Sequence, residues 1–516
     1  MGSYALNHHT TGNGNTSIGY ESLLTLTSGS NNTAMGYHTL FALTSGDSNS
    51  AFGDHALSAG ALGNYNSAFG SHAMENTTGS YNSAFGNYAL NTNVSGTYNT
   101  AIGNYASYYS QTADYCTAIG QGALFNNDAT GSTAVGYSAL NSNTTGVGNT
   151  AVGYQVLKNS AGDSNTGMGY QALWNLNTGD SNSAFGTSAL EAGSHNSNNT
   201  AMGYQALKLS QTDGNTAVGS NALNRSMLGG FNTAIGNNSQ FYCLQGFNNI
   251  SMGSDSMFTN QSGSNLIAIG TRALYQFDGG EGITAIGHES MKNHQIGNHN
   301  TAVGYQSMYN HGNGEGNAAF GSAALGASAM SNYNTAIGTG SLYFINGDSN
   351  TAVGYNSMYN TGSGYGNTAV GQHSLFSTYT GYLNTAIGFQ ALNFGSYLTG
   401  VTALGANALY YNNASDGNTA LGTESMRNND TGNYNTAAGY QSLNFQTTGM
   451  ANSGFGYKTL YSGNGSNNSA IGYLALTQNN SNNNSAMGSN ALQYSRLFQF
   501  GFWSKFLIPE FQWLWQ

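Results

Sequence analysis

A short cassette, Asn-Thr-Ala-x-Gly-Tyr-x-Ala-Leu, recurs throughout this chain of 516 residues. Clear copies span residues 149–157 and 300–308. The distance between successive cassette glycines takes two values. The longer one, as from Gly19 to Gly36, occurs in 21 of the 28 intervals, and a distance shorter by one residue, as from Gly70 to Gly86, occurs in the rest. A nearly fixed short period without long insertions is typical of stacked-repeat proteins. The sequence therefore predicts an all-β fold, a parallel β-solenoid (β-roll) of about 30 coils.

The repeat also sets the expected domain organisation. One continuous solenoid rod is predicted over residues 1–492, with residues 225–283 as its least regular part. Gly2 already lies one full period before Gly19, so the chain begins inside a repeat and upstream sequence is expected to be missing.

The last residues, 493–516, leave the repeat pattern and are rich in aromatic side chains. Because the end of a solenoid exposes unpaired strand edges, this tail could be a cap or an assembly segment. A non-native end is the other interpretation. The candidate assembly residues are Trp503, Phe506, Trp513 and Trp515.

Composition excludes several classes of protein. Only 6% of the residues are charged, and nine Lys and Arg residues cannot form the basic surface that nucleic acid requires. No apolar run is long enough for a direct membrane span. The two cysteines, Cys116 and Cys243, are seven coils apart, which is too far for a disulfide within a solenoid.

Two repeat positions are predicted to form the core. The residue before the glycine is Ile, Val, Met, Phe or Leu in every coil except at Ala438, and the fourth residue after the glycine is Leu or Met in 27 of 29 coils. Large apolar side chains at fixed positions of stacked coils predict two buried columns.

The residue two before the glycine is Ala in 25 of 29 coils. Neighbouring strand residues point to opposite faces, so this small-residue column should face away from the large apolar column. One interpretation is close approach of another copy of the chain on that face. The alternative is that Ala and Gly line a narrow coil interior, while the large apolar column packs under its own loops.

An Asn column, four residues before the glycine, is expected to hydrogen-bond from coil to coil. The residues between cassettes, such as 25–31 and 141–148, are predicted to be surface turns. The predicted structural ladder is represented by Asn149, Thr150, Ala151, Val152, Gly153, Leu157, Asn300, Thr301, Ala302, Val303 and Gly304.

The cassette resembles the head repeats of trimeric autotransporter adhesins, the YadA-like head, and the related Asn-Thr-Ala-x-Gly-x-x-Ala-Leu repeats of phage and viral fibres and bacterial surface proteins. The resemblance covers residues 2–492. It implies a left-handed β-roll, a homotrimer, and a role in adhesion or as a fibre shaft. Each coil of this chain is longer than the usual head repeat.

No catalytic motif stands out, and we predict that the chain is not an enzyme and needs no cofactor or metal. The histidines, such as His38, His55 and His72, are expected to be scattered surface residues. Single aspartates in Gly-Asp-Ser-Asn loops, such as Asp47, Asp163 and Asp180, fit turns better than calcium sites.

Tyrosine often follows the glycine, and its rings could either hold sugars or only shield a corner of the coil. The candidate glycan-facing residues are Tyr137, Tyr154, Tyr170, Tyr440, Tyr457 and Tyr473.

Three functions are compatible with these patterns. The favoured one is an extracellular or cell-surface fibre that attaches through many weak contacts, with itself, surface glycans or host-surface proteins as partners. An ice-binding solenoid is the alternative, using the Thr/Ser column as a flat face. A virion tail-fibre shaft is the third.

Overall fold

The structure is a computed structural model that describes residues 2–60, 62–328, 330–378, 380–413, 415–495 and 500–501. Its secondary structure consists of short β-strands, and no helix occurs among those residues. The chain divides into two compact units, Met1–Asp255 with Thr259–Ser262, and Ser256–Phe258 with Gly263–Gln516. The division falls inside the segment 225–283, where the repeat is least regular.

In each unit, one strand per coil pairs in parallel with its equivalent in the next coil, and these strands have three residues except for Phe500–Gly501, which has two. Thr150, for example, is in register with Thr133 on one side and Thr166 on the other. The predicted all-β, parallel β-solenoid is therefore confirmed. In the first unit these strands are Thr16–Ile18, Thr33–Met35, Ser50–Phe52, Ser67–Phe69, Ser83–Phe85, Thr100–Ile102, Thr117–Ile119, Thr133–Val135, Thr150–Val152, Thr166–Met168, Ser183–Phe185, Thr200–Met202, Thr216–Val218, Thr233–Ile235 and Ile250–Met252.

The second unit repeats this arrangement, and its last described pairing joins Ser485–Met487 to Phe500–Gly501. Trp503, Phe506, Trp513 and Trp515 lie outside the described residues. The strands are Ile267–Ile269, Thr284–Ile286, Thr301–Val303, Ala318–Phe320, Thr335–Ile337, Thr351–Val353, Thr368–Val370, Thr385–Ile387, Thr402–Leu404, Thr419–Leu421, Thr436–Ala438, Ser453–Phe455, Ser469–Ile471, Ser485–Met487 and Phe500–Gly501.

Shorter strands form small parallel sheets in some coils, on the segments that connect one cassette to the next. Each begins six residues after a cassette glycine, as Asn126 does after Gly120. Their bounds are Asn126–Asn127 and Ser142–Asn143 in the first unit, and Phe344–Ile345, Asn360–Gly362, Ser377–Thr378, Phe394–Gly395, Tyr411–Asn412, Asn428–Asn429, Gln478–Asn479 and Tyr494–Ser495 in the second.

The cassette glycine makes the tight corner after each strand. Gly153 has a φ of 131°, and a Cβ placed on it would lie 1.9 Å from the carbonyl oxygen of Gly169 in the next coil. Only glycine permits both this backbone conformation and this close stacking. The corner ends at Leu157, which is fully buried and adopts a φ of 49°.

The Ala column lines the coil interior. Ala151 and Ala302 are fully buried, like Leu157. Where glycine replaces Ala, at Gly167, an added Cβ would lie 2.5 Å from Cγ1 of Val156 and 3.4 Å from Cδ1 of Leu173. The side chains that follow the corner therefore fill the interior and leave room for a methyl group at most, which explains the restriction to small residues.

The structure thus corrects the prediction for the column before the glycine. Val152 and Val303 are half-buried and Ile18 is 44% exposed, so this column faces outward instead of forming a dry core. Because strand residues alternate, an inward Ala places both its neighbours outside. The Ala column does not form an outer contact face for another copy, and the large apolar column does not pack under its own loops. The prediction for the Leu/Met column is correct.

The Asn column forms a buried ladder. Asn149 Nδ2 donates to the carbonyl oxygen of Gly162 at 2.8 Å, and its Oδ1 accepts from the backbone N–H of Asn165 at 2.8 Å. Asn300 does the same with Gly314 at 2.7 Å and Asn317 at 2.9 Å. Each amide thus satisfies buried backbone groups that the short strands leave unpaired.

The connecting segments are not entirely surface turns, which corrects a second prediction. Leu26 lies within 25–31 and Asn143 within 141–148, and both are fully buried. Both lie seven residues after a cassette glycine, and this position forms a further interior column. Its side chains vary in chemistry from coil to coil, so residue type alone did not indicate that the position is buried.

Candidate functional site

The outward strand face is repeated from coil to coil in each unit. It carries a partly exposed Thr/Ser column and, two residues later, a column that we call the outer apolar column. Exposure in this column reaches 48% at Met487. Its members with the largest exposure are Ile18, Met35, Phe85, Ile102, Ile119, Met168, Met202, Met252, Phe320, Ile337, Ile387, Leu404, Leu421, Phe455, Ile471 and Met487.

In the outer apolar column, side chains of successive coils contact each other. Phe52, Phe69 and Phe85 stack with 4.7 Å between neighbouring ring centroids. In-register pairing produces this contact, since each strand places the same repeat position next to itself. The result is a ribbon of apolar surface in contact with solvent, of the kind that marks interaction surfaces when it is contiguous.

The predicted glycan-facing tyrosines form two stacks. Tyr137, Tyr154 and Tyr170 are exposed, with ring centroids 5.2 and 5.1 Å apart. The other stack, Tyr440, Tyr457 and Tyr473, has spacings of 5.6 and 5.0 Å. Inner rings such as Tyr154 have both faces against neighbouring rings, so a sugar would meet ring edges or the end rings. Glycan binding stays a prediction.

Sequence reasoning missed another aromatic column, five residues before the glycine. Tyr65, Tyr81, Tyr98 and Tyr115 are exposed and stack with centroid distances of 5.0, 4.8 and 5.1 Å. All four have positive φ angles. The signal is present in the sequence as a Tyr placed directly before the Asn column, or before Cys116 where Cys replaces Asn.

The loop aspartates cap backbone groups of the preceding coil. Asp47 Oδ1 accepts from the N–H of Ser30 at 2.7 Å, and Asp180 Oδ1 accepts from the N–H of Asp163 at 2.7 Å. These bonds are turn chemistry, as expected from one carboxylate per loop. The two cysteines, Cys116 and Cys243, are free and buried.

Three histidines that looked scattered lie in one column. His38, His55 and His72 occupy the second position after the glycine in consecutive coils, with neighbouring ring centroids 5.1 Å apart. Local ligand motifs place metal-binding residues a few positions apart, whereas a solenoid brings together residues one full period apart. The sequence signal for this clustering was therefore the spacing of one period between the histidines.

No protein-family model matches the chain, and no curated protein is significantly similar to it. The resemblance to YadA-like head repeats stays a prediction, as do the handedness of the coil and the absence of enzymatic activity. Among the described residues, there is no helix with the length and apolar character needed to cross a bilayer.

Proposed function

We propose that this chain is a structural fibre protein of an extracellular, cell or virion surface, in which solenoid coils pack side by side with other copies of the chain. The observation that supports this is the outer apolar column, which leaves large side chains in water coil after coil. Exposed apolar surface costs about 25 cal/mol per Å², so covering it stabilises an assembly.

Another copy of the chain is the simplest partner for such a column. Every copy carries the same ribbon at the same spacing, so copies related by rotational symmetry would match along their length. A trimer is the arrangement that the resemblance implies. A fibre shaft on a cell or on a virion would use the same packing, so these two alternatives differ in location and not in geometry.

The mass of the full chain in solution tests this proposal. We expect a particle of three times 53.7 kDa by mass photometry or light scattering. A variant with serine at Val135, Val152, Met168 and Phe185 should shift the particle toward the monomer mass, because it removes apolar contact while leaving the coil interior unchanged. A wild-type monomer would refute side-by-side assembly.

Within this proposal, surface attachment is assigned to the exposed tyrosine stacks and loops. Each contact would be weak, and repetition along the solenoid would raise the total affinity. Binding of the full chain to immobilised glycans, compared with a Tyr137, Tyr154 and Tyr170 to Ala variant, tests this role. Equal binding by the two proteins would exclude the first stack as a contact site.

Ice binding is a second candidate, favoured by the outward Thr/Ser column. Thr133, Thr150 and Thr166 are in register on one regular face, at strand spacings of about 4.8 Å. The parallel column beside them is apolar, and Ile250, Ile267 and Ala318 interrupt the Thr/Ser column. Ice binding would be supported over the fibre if the monomeric chain shows thermal hysteresis and loses it when Thr133, Thr150 and Thr166 are replaced with tyrosine.

A further inference from the structure

The histidine column of the first unit has acidic partners. His55 Nδ1 lies 3.0 Å from Asp54 Oδ1, and His72 Nδ1 lies 3.0 Å from Glu75 Oε2. One potential ligand atom from each of Asp54, His55 and His72 lies within 4.8 Å of the other two. Two stacked coils thus bring two imidazoles and a carboxylate to one place on the surface.

We propose that Asp54, His55 and His72 bind a divalent transition-metal ion of the zinc class. Imidazole nitrogen suits Zn²⁺, Co²⁺, Ni²⁺ and Cu²⁺, whereas Ca²⁺ and Mg²⁺ prefer sites built from oxygen ligands. Three protein ligands leave at least one coordination position for water or another ligand. Asp54 is exposed and both histidines are half-exposed, so an ion can enter directly from solvent.

Glu75 orients one of the ligands. Its Oε2 accepts from His72 Nδ1 and also from Asn91 Nδ2 at 3.1 Å. Metal-binding histidines usually donate their second ring N–H to a carboxylate in this way, which fixes the tautomer and leaves the other nitrogen free for the metal. Glu75 is therefore a positioning residue. His38 does not belong to the ligand set, because the cluster of potential ligand atoms within 4.8 Å of one another consists of Asp54, His55 and His72.

The charge of this region also favours a cation. Glu21, Asp54 and Glu75 all lie in it, and the sequence contains no Lys or Arg before Lys158. No permanently cationic side chain from this part of the chain opposes a bound metal ion. Surface lysines would otherwise compete for the same carboxylates.

Matched substitutions are available within the repeat. Gln occupies the same position as His55 and His72 in other coils, for example at Gln155 and Gln390, with φ angles of 53° and 54° against 55° and 56°. His→Gln therefore removes an imidazole ligand, and the new residue is one that this repeat position already holds with nearly the same backbone φ. His373 is the matched control, since it holds the same position between Asn356 and Gln390, without a neighbouring histidine.

The test is calorimetric titration of the metal-depleted full chain with Zn²⁺, supported by visible absorption with Co²⁺. We expect one saturable site per chain that prefers Zn²⁺ to Ca²⁺. His72→Gln and His55→Gln should each weaken Zn²⁺ binding by at least 10-fold, and Glu75→Gln by about 10–100-fold. His373→Gln should leave it unchanged.

Several results would overturn the proposal. Absence of saturable binding, or equal binding by the wild type and the His55→Gln/His72→Gln double variant, would exclude this site. An equal loss in His373→Gln would place the metal elsewhere. An unchanged affinity in Glu75→Gln, with loss in His72→Gln, would refute the positioning role of Glu75. Circular dichroism of each variant checks that the coils are intact.

Discussion

The interior and the outer face of a coil follow different rules, although their residues alternate along the same three-residue strand. Ala151 faces a space that accepts only a methyl group, whereas Thr150 and Val152, its neighbours, reach solvent. Inside, the available volume and the need to satisfy buried amides select the residue. On the outer face, the residue before the glycine keeps an apolar character from coil to coil, while its size varies from Val to Phe.

Histidine illustrates the same contrast. His294 and His311 occupy interior positions of adjacent coils in the second unit and are fully buried, with ring centroids 5.5 Å apart. His55 and His72 are also separated by one period, but they lie on the outside and pair with carboxylates. Equal spacing in the sequence thus leads to opposite chemistry, because the repeat position decides between burial and solvent.

The largest effect is expected from breaking the interior ladder. Asn149→Ala removes the partners of two buried backbone groups, the carbonyl of Gly162 and the N–H of Asn165. Each unsatisfied group costs about 1–3 kcal/mol. Because repeat proteins open locally, hydrogen–deuterium exchange of peptides covering 149–173 is the suitable measurement. Thr150→Ala, on the outer face, is the control and should change protection little.

Overpacking the interior should have the next largest effect. Ala151→Leu forces three additional carbons into a space that nearly excludes a Cβ at the adjacent Gly167, at a cost of about 1–3 kcal/mol. Val152→Leu adds volume at the next residue, where solvent gives room. Similar exchange protection in the two variants would mean that the strand does not separate an inside from an outside.

The sequence was sufficient for the period, the parallel stacking and the Leu/Met column, since these depend on spacing and on one large residue type. It was misleading for the column before the glycine, because large apolar residues usually mark a core. The alternation of residues along a strand does not show which of its two faces points into the coil. The packing of Val156 and Leu173 around Gly167 decides this, and that contact exists only in three dimensions.

Acidification should destabilise the coils of the second unit that contain the buried histidines. Burial, with added repulsion from His294, lowers the pKa of His311 from 6.5 to about 3. The unfolded coil therefore takes up a proton more readily than the folded coil, and stability present above pH 6.5 is lost progressively as pH falls toward 3. At pH 5 the expected loss is about 2 kcal/mol relative to pH 8.

Exchange of peptides covering 289–316, corrected for the intrinsic effect of pH on exchange rate, measures this loss. His311→Asn should remove most of it, because Asn occupies the same interior position in other coils, as at Asn412. Equal corrected protection at pH 5 and pH 8 would contradict the burial of His311.

The smallest effect is expected on the outer apolar column. Val152→Ser should change the local stability of a monomeric chain by no more than about 0.5 kcal/mol, because Val152 is half-buried and touches solvent. Exchange of the peptide covering 149–157, measured at a concentration where the chain is monomeric, tests this. A loss above about 1 kcal/mol would place Val152 in the core of the coil. Loss of protection only at concentrations where copies associate would instead assign this residue to the contact between chains, because the same side chain would then be buried by a neighbour and not by its own coil.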